Sequence, residues 1–135
     1  MLLGIILTFA VQSAPSGIQT VVTDAMSQID DAKQTVARTP AEFAALWKLH
    51  AGAAAMPKID FGSRIVVAVF LGSRSSAGYT VAITGTRQEK GVLVVEWREQ
   101  RPEAGQVTAQ VMTSPAHIAT IPKFSGEIRF EKAAK

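Results

Sequence analysis

Apolar and polar positions change rhythm several times along the chain, and each change predicts an element. The first ten positions after the initiator, Leu2 to Val11, are almost continuously apolar and carry no charge. A bilayer span needs about 20 such residues, so this run has the length of a signal-peptide core instead. Small and turn-forming residues follow (Ser13, Ala14, Pro15, Ser16, Gly17), with Val11 and Ser13, or Ala14 and Ser16, at the spacing of a cleavage site. The first basic side chain is Lys33. Residues 1–17 are therefore expected to be a leader and 18–135 a single exported domain, periplasmic or extracellular. No stable membrane anchor is expected once the leader is cleaved. The competing reading of this run is a buried N-terminal strand.

β-Branched residues from Ile18 to Thr23 predict a short strand, and Gln34 to Arg38 a second, separated by a polar loop, Asp24 to Asp31. Thr39-Pro40-Ala41-Glu42 then has the form of a helix start: a hydroxyl cap, a proline where no N–H is needed, and a glutamate reaching back. Phe43, Leu46, Trp47 and His50 fall on one helical face, with Gly52 as the stop. From Ile65 to Leu71 seven consecutive apolar residues predict a central strand covered on both faces. Tyr79 to Thr84 alternates, and Glu89-Lys90-Gly91 turns the chain into a partner strand, Val92 to Glu99. Further strands are expected at Gln106 to Thr113, around His117 to Ile121, and at Glu127 to Phe130. The predicted class is α+β: a mostly antiparallel sheet of about six strands, with one helix on its N-terminal side packed against it. Phe43, Leu46, Trp47, Val67, Val69, Val81, Ile83, Val95 and Phe130 are the expected core.

Composition changes this picture little. The chain has 135 residues, 47% hydrophobic and 19% charged, which suits one globular core. Its net charge of +3 is spread along the sequence with no basic run interleaved with aromatics, so nucleic acid is not an expected partner. Cysteine is absent, which removes disulfides, thiolate metal sites, a cysteine nucleophile and a lipid-bearing cysteine.

Candidate chemistry is sparse. The two histidines, His50 and His117, show no HxH or HExxH spacing, so neither a metal nor another cofactor is expected. His50 reads as a helix C-terminal residue complementing the dipole, and His117 as a partly buried sheet residue. Gly72-Ser73-Arg74-Ser75-Ser76-Ala77-Gly78 has the wrong glycine spacing for a nucleophile elbow and lacks the lysine of a phosphate-binding loop. No catalytic residue is therefore assigned. The same loop still carries the most distinctive group of side chains. Arg74 and its neighbouring hydroxyls suit a carboxylate, a phosphate or a partner's backbone, and Tyr79 is an interface-favoured residue. Arg74, Ser75, Ser76, Gly78 and Tyr79 are the candidate protein-binding loop, with Arg101 to Gly105 beside it. A solvated Ser/Gly-rich connector would look the same.

Several of these segments, in this order, resemble the PrcB C-terminal domain family. The likeness rests on Glu42-Phe43-Ala44-Ala45-Leu46-Trp47, Ile59-Asp60-Phe61, the strand Val66 to Phe70, and Leu71 to Ile83. Arg101-Pro102-Glu103-Ala104-Gly105, Thr113 to Ile118 and Ile128-Arg129-Phe130 complete it. Ser75-Ser76-Ala77 stands where the family more usually has Pro-Thr-Gly, and Ala116 where an aromatic is common. The family is named for a lipoprotein subunit that supports a surface subtilisin-like protease. The resemblance thus implies an exported, non-catalytic protein-binding role, with another protein, such as a subtilisin-like protease, as partner and no cofactor. Two other classes remain open. A loop-based protease inhibitor of the chagasin kind shares only Gly78-Tyr79 with this chain, and a serine hydrolase would have to combine Ser75 or Ser76 with His117.

Overall fold

The computed structural model describes residues 17–134, so all of the expected leader but its last residue, Gly17, lies outside the described residues. Seven strands and one helix follow in the order β1 (Gln19–Asp24), β2 (Lys33–Ala37), α1 (Pro40–Ala51), β3 (Arg64–Phe70), β4 (Thr80–Glu89), β5 (Val92–Gln100), β6 (Ala116–Pro122) and β7 (Ile128–Lys132). They form two sheets rather than the single six-stranded one expected. The first has four antiparallel strands in the order β1-β6-β3-β2; the second has three, β4-β5-β7. In the second sheet β4 and β5 are an antiparallel hairpin, while β7 runs parallel to β5.

The reason for two sheets is visible in β3. Its residues alternate faces, yet both faces are apolar, so two covers are needed. Val66, Ala68 and Phe70 meet α1, together with Ala116 and Ile118 of β6. Ile65, Val67 and Val69 meet the second sheet through Val81, Ile83, Leu93, Val95 and Trp97. The result is three layers, helix on sheet on sheet. Each fully buried large aliphatic or aromatic side chain contributes about 1.5–3 kcal/mol to holding them together. The expected core residues are all buried except Phe130, which is half-buried at the margin of the second cluster.

Local signals set the helix as the sequence predicts. Thr39 is extended, and its hydroxyl accepts the Glu42 N–H at 3.1 Å. The returning bond goes one residue further than a capping box: the Glu42 carboxylate accepts the Arg38 N–H at 2.8 Å. Gly52 ends the helix with φ 63°, donating its N–H to Lys48 O at 2.9 Å. Among the described residues no helix is long and apolar enough to cross a membrane.

One expected strand is absent. Gln106 to Thr113 is loop, touching strand-like pairing only in isolated bridges between Arg74 and Thr113 and between Met26 and Ser114. Val107, Val111 and Met112 supply its apolar character, but they point into solvent and not onto a sheet face.

Candidate functional site

Strand register gathers three connections at one end of the molecule. Asp24 pairs with Ala116, Lys33 with Phe70, Phe70 with Ala116, and Thr80 with Gln100. Segments 25–32, 71–79 and 101–115 therefore emerge side by side. Backbone bonds lock them to one another. Arg74 and Thr113 exchange N–H···O bonds at 2.7 and 2.9 Å, Ala77 N–H reaches Ala109 O at 3.0 Å, and Ser73 N–H reaches Asp30 O at 3.0 Å. Ser27 N–H donates to Ser114 O at 3.0 Å, and Ser114 N–H donates to Ala25 O at 2.8 Å.

Two glycines make the approach of these loops feasible. At Gly72 (φ 82°) a Cβ would lie 2.9 Å from Ala32 N and 3.0 Å from Asp30 O. At Gly78 (φ 101°) it would lie 2.7 Å from Pro102 Cγ. Both positions combine a left-handed backbone with a neighbour too close for any side chain.

Within this frame the five residues singled out from sequence divide into different roles. Arg74 turns back on the protein: Nε donates to Glu99 Oε2 at 2.9 Å, and Nη1 donates to Leu71 O and Ser73 O at 3.1 and 3.0 Å. Its guanidinium also lies 5.7 Å from the Tyr79 ring centre, close enough for a cation–π contact. Ser76 donates to Ala77 O at 3.0 Å, and its own carbonyl accepts the Thr113 hydroxyl at 2.9 Å. Tyr79 is half-buried; Ser75 and Gly78 are exposed.

Glu99 is the anchor of this corner, with a side chain only 4% exposed. Lys132 Nζ approaches its other oxygen at 3.2 Å and packs 5.4 Å from the Trp97 ring centre. The hydrogen bond from Arg74, reinforced by Lys132, holds the Glu99 carboxyl below its ordinary range, and Glu99 in turn raises Arg74. The group fixes the 71–79 loop to the ends of β5 and β7.

Sequence reading missed the surface that these bonds support. The exposed large hydrophobic residues include Met26, Val107, Val111 and Met112, which are 57, 95, 45 and 62% exposed, and all four lie on the converging loops. Leu49, also exposed, lies in the last turn of α1, where His50 O accepts the Gln28 N–H. The available signal was a turn-rich segment, 101–105, followed at once by Val107, Val111 and Met112 among polar residues.

The histidines sit on opposite faces of the first sheet. His117 shares the second-sheet face of β6 with Ala119 and Ile121, and its Nδ1 accepts the Ile83 N–H at 2.8 Å. Its proton therefore sits on Nε2, which lies 2.9 Å from Thr20 Oγ1. Neither ring nitrogen is directed to Ser75 or Ser76. Burial pushes the His117 pKa down.

His50 is buried on the helix side, not exposed as a dipole partner. Its Nδ1 is 2.8 Å from Ser27 Oγ, and Nε2 is 3.6 Å from Asp24 Oδ2. Burial lowers its pKa more than Asp24 raises it, so the ring is neutral near pH 7. A proton on Nε2, facing Asp24, leaves Nδ1 to accept the Ser27 hydroxyl. These are the residue types of a hydrolytic triad, but Ser27 is only 5% exposed and its oxygen already accepts the Ile29 N–H at 3.1 Å. The trio ties the 25–32 loop to the end of α1.

Comparison with curated proteins and with solved structures gave no match in either case. The family model described as PrcB C-terminal matches residues 65–122. That stretch runs from β3 through the 71–79 loop, the β4–β5 hairpin and the 101–115 segment to β6, and includes Arg74, Tyr79 and Glu99. Over these residues the chain is similar to the PrcB C-terminal family.

Proposed function

We propose that this chain is an exported, non-catalytic protein-binding domain whose contact surface is the end formed by segments 25–32, 71–79 and 101–115. One observation carries the reading: Met26, Val107, Val111 and Met112 expose apolar side chains together on loops that backbone hydrogen bonds hold in place. Apolar residues grouped at one end mark an interface more often than isolated ones do. Holding the loops rigid lowers the ordering cost of association. The family name supports a subunit of a protease complex, and an exported subtilisin-like protease is the proposed partner.

In this reading the five residues found from sequence have a supporting part. Arg74, Ser76 and Tyr79 shape the loop, and Ser75 lies at its exposed rim. A substitution at Arg74 would therefore confuse lost contact with lost structure.

The test uses Val107→Asp with Met112→Asp, because both side chains are already in water and the fold does not need them. Wild-type protein immobilised and exposed to the exported proteins of its own cells should retain a subtilisin-like protease whose activity is kept or raised. The double variant should lose it while melting at the same temperature. Equal retention by both proteins would rule out this surface, and reduced protease activity would favour an inhibitor.

A further inference from the structure

Beside the apolar loop end lies a cavity of about 550 Å³ lined by Arg98, Glu99, Gln100, Arg101, Lys132 and Ala133. It sits where β5 and β7 end together, since the two strands are parallel and Ala133 N–H donates to Trp97 O at 2.7 Å. Its volume is in the range of small-ligand and side-chain pockets, roughly 300–1,000 Å³.

The charges around it do not balance. Glu99 is the single carboxylate of the lining, and both its oxygens are already engaged, Oε2 by Arg74 and Oε1 by Lys132. Three cations line the cavity, and Arg74 stands behind Glu99. Arg98 and Arg101 are exposed and make no ion pair with any described residue. Lys132 is positioned between Glu99 and the Trp97 ring, so one cation is preorganised and two are free to close on a ligand. Two guanidinium groups offer the planar, paired donors that match carboxylates.

We propose that this cavity receives acidic side chains from an extended segment of the protein partner, next to the apolar contact. The inference rests on the protein-binding reading and adds the partner's chemistry: a hydrophobic patch flanked by Asp or Glu. Charge complementarity favours an anion, and adjacency to the loop end favours one borne by the same partner. A cavity this large is also more than a lone small anion would fill.

The probe is a capped triglutamate peptide, titrated into ¹⁵N-labelled protein at low salt and followed by amide shifts. The expected result is saturable movement confined to residues 98–101 and 132–133. It should be absent with capped triglutamine and weakened at least about tenfold by Arg98→Glu with Arg101→Glu. Screening should weaken it further when salt is raised to about 0.5 M, because the Debye length then falls to only a few ångströms. Shifts that do not saturate, or that spread over the surface, would overturn the proposal. So would the same saturable shifts with sulfate alone, which would make this a small-anion site. Partner capture separates the two readings. If the charge-reversed protein retains the partner as wild type does, the acidic-segment proposal fails and the apolar interface stands. If no partner is retained by either protein, the peptide titration still decides the cavity.

Discussion

His117→Leu should loosen the contact between the two sheets by a calculable amount. The imidazole accepts the Ile83 N–H at 2.8 Å, and Ile83 is 6% exposed, so water cannot replace the lost acceptor. Leaving a buried donor without a partner costs about 1–3 kcal/mol. Thr20, the other partner, is exposed and simply rehydrates. Leucine nearly fills the space, so little cavity cost is added. At this chain length 1 kcal/mol lowers Tm by about 4 °C. The sign of the pH effect is fixed as well. Both histidines have folded pKa values below the ordinary 6.5, so the unfolded chain binds more protons as pH falls. Their neutral forms contribute fully above about pH 6.5, and this stability is lost as pH drops toward the lowered folded values. Urea unfolding at several pH values from 8 to 5.5 should therefore show wild-type stability declining. The variant should be less stable at pH 8 and decline less steeply, with His50 accounting for the remainder. A variant within about 0.3 kcal/mol of wild type, or a wild-type profile flat over this range, would refute the reasoning.

Other consequences follow from the same geometry. Arg74→Ala leaves the buried Glu99 carboxylate with Lys132 alone and should cost about 1–3 kcal/mol in chemical denaturation. Arg98→Ala and Arg101→Ala should stay within about 0.5 kcal/mol. Because Glu99 has a folded pKa below its ordinary 4.5, the stability it contributes is present above that value and is lost as pH falls further, a window distinct from that of the histidines. Gly78→Ala should cost about 1–3 kcal/mol, since it strains φ 101° and drives a methyl into Pro102; thermal melting would measure it. Thr39→Ala should remove about 1 kcal/mol by exposing the first turn of α1, again read by denaturation.

Much of the fold was legible wherever the pattern is local. The Thr39 cap, the Phe43–Leu46–Trp47–His50 face, the Gly52 stop and the hairpin turn at Lys90-Gly91 all depend on near neighbours. The apolar run from Ile65 to Leu71 even announced a strand covered on both sides. It could not say that the second cover would be another sheet, because the 71–79 loop's path depends on tertiary contacts such as Gly72 against Asp30 and Ala32. The extra strand expected at Gln106 to Thr113 failed for a related reason: Val107, Val111 and Met112 suggest burial by composition, yet all three stay exposed and pack on no sheet face. At the candidate site, sequence reading singled out the 72–79 loop, and the family resemblance it noted agrees with the model match over residues 65–122. It took Arg74 for an outward-facing donor because its partner, Glu99, is 25 residues away. The Lys132 contribution and the Asp24–His50–Ser27 tie were invisible for the same reason.

The most direct test is a hydrogen-exchange footprint on the complex with whichever exported protease the chain retains. Amides of 101–112 and 25–32 should gain protection on binding, while the outward face of α1 at Ala41 and Ala45 and the far-end turn at Lys90-Gly91 should exchange as in the free protein. Protection centred on α1 or on that turn, with 101–112 unchanged, would contradict the account.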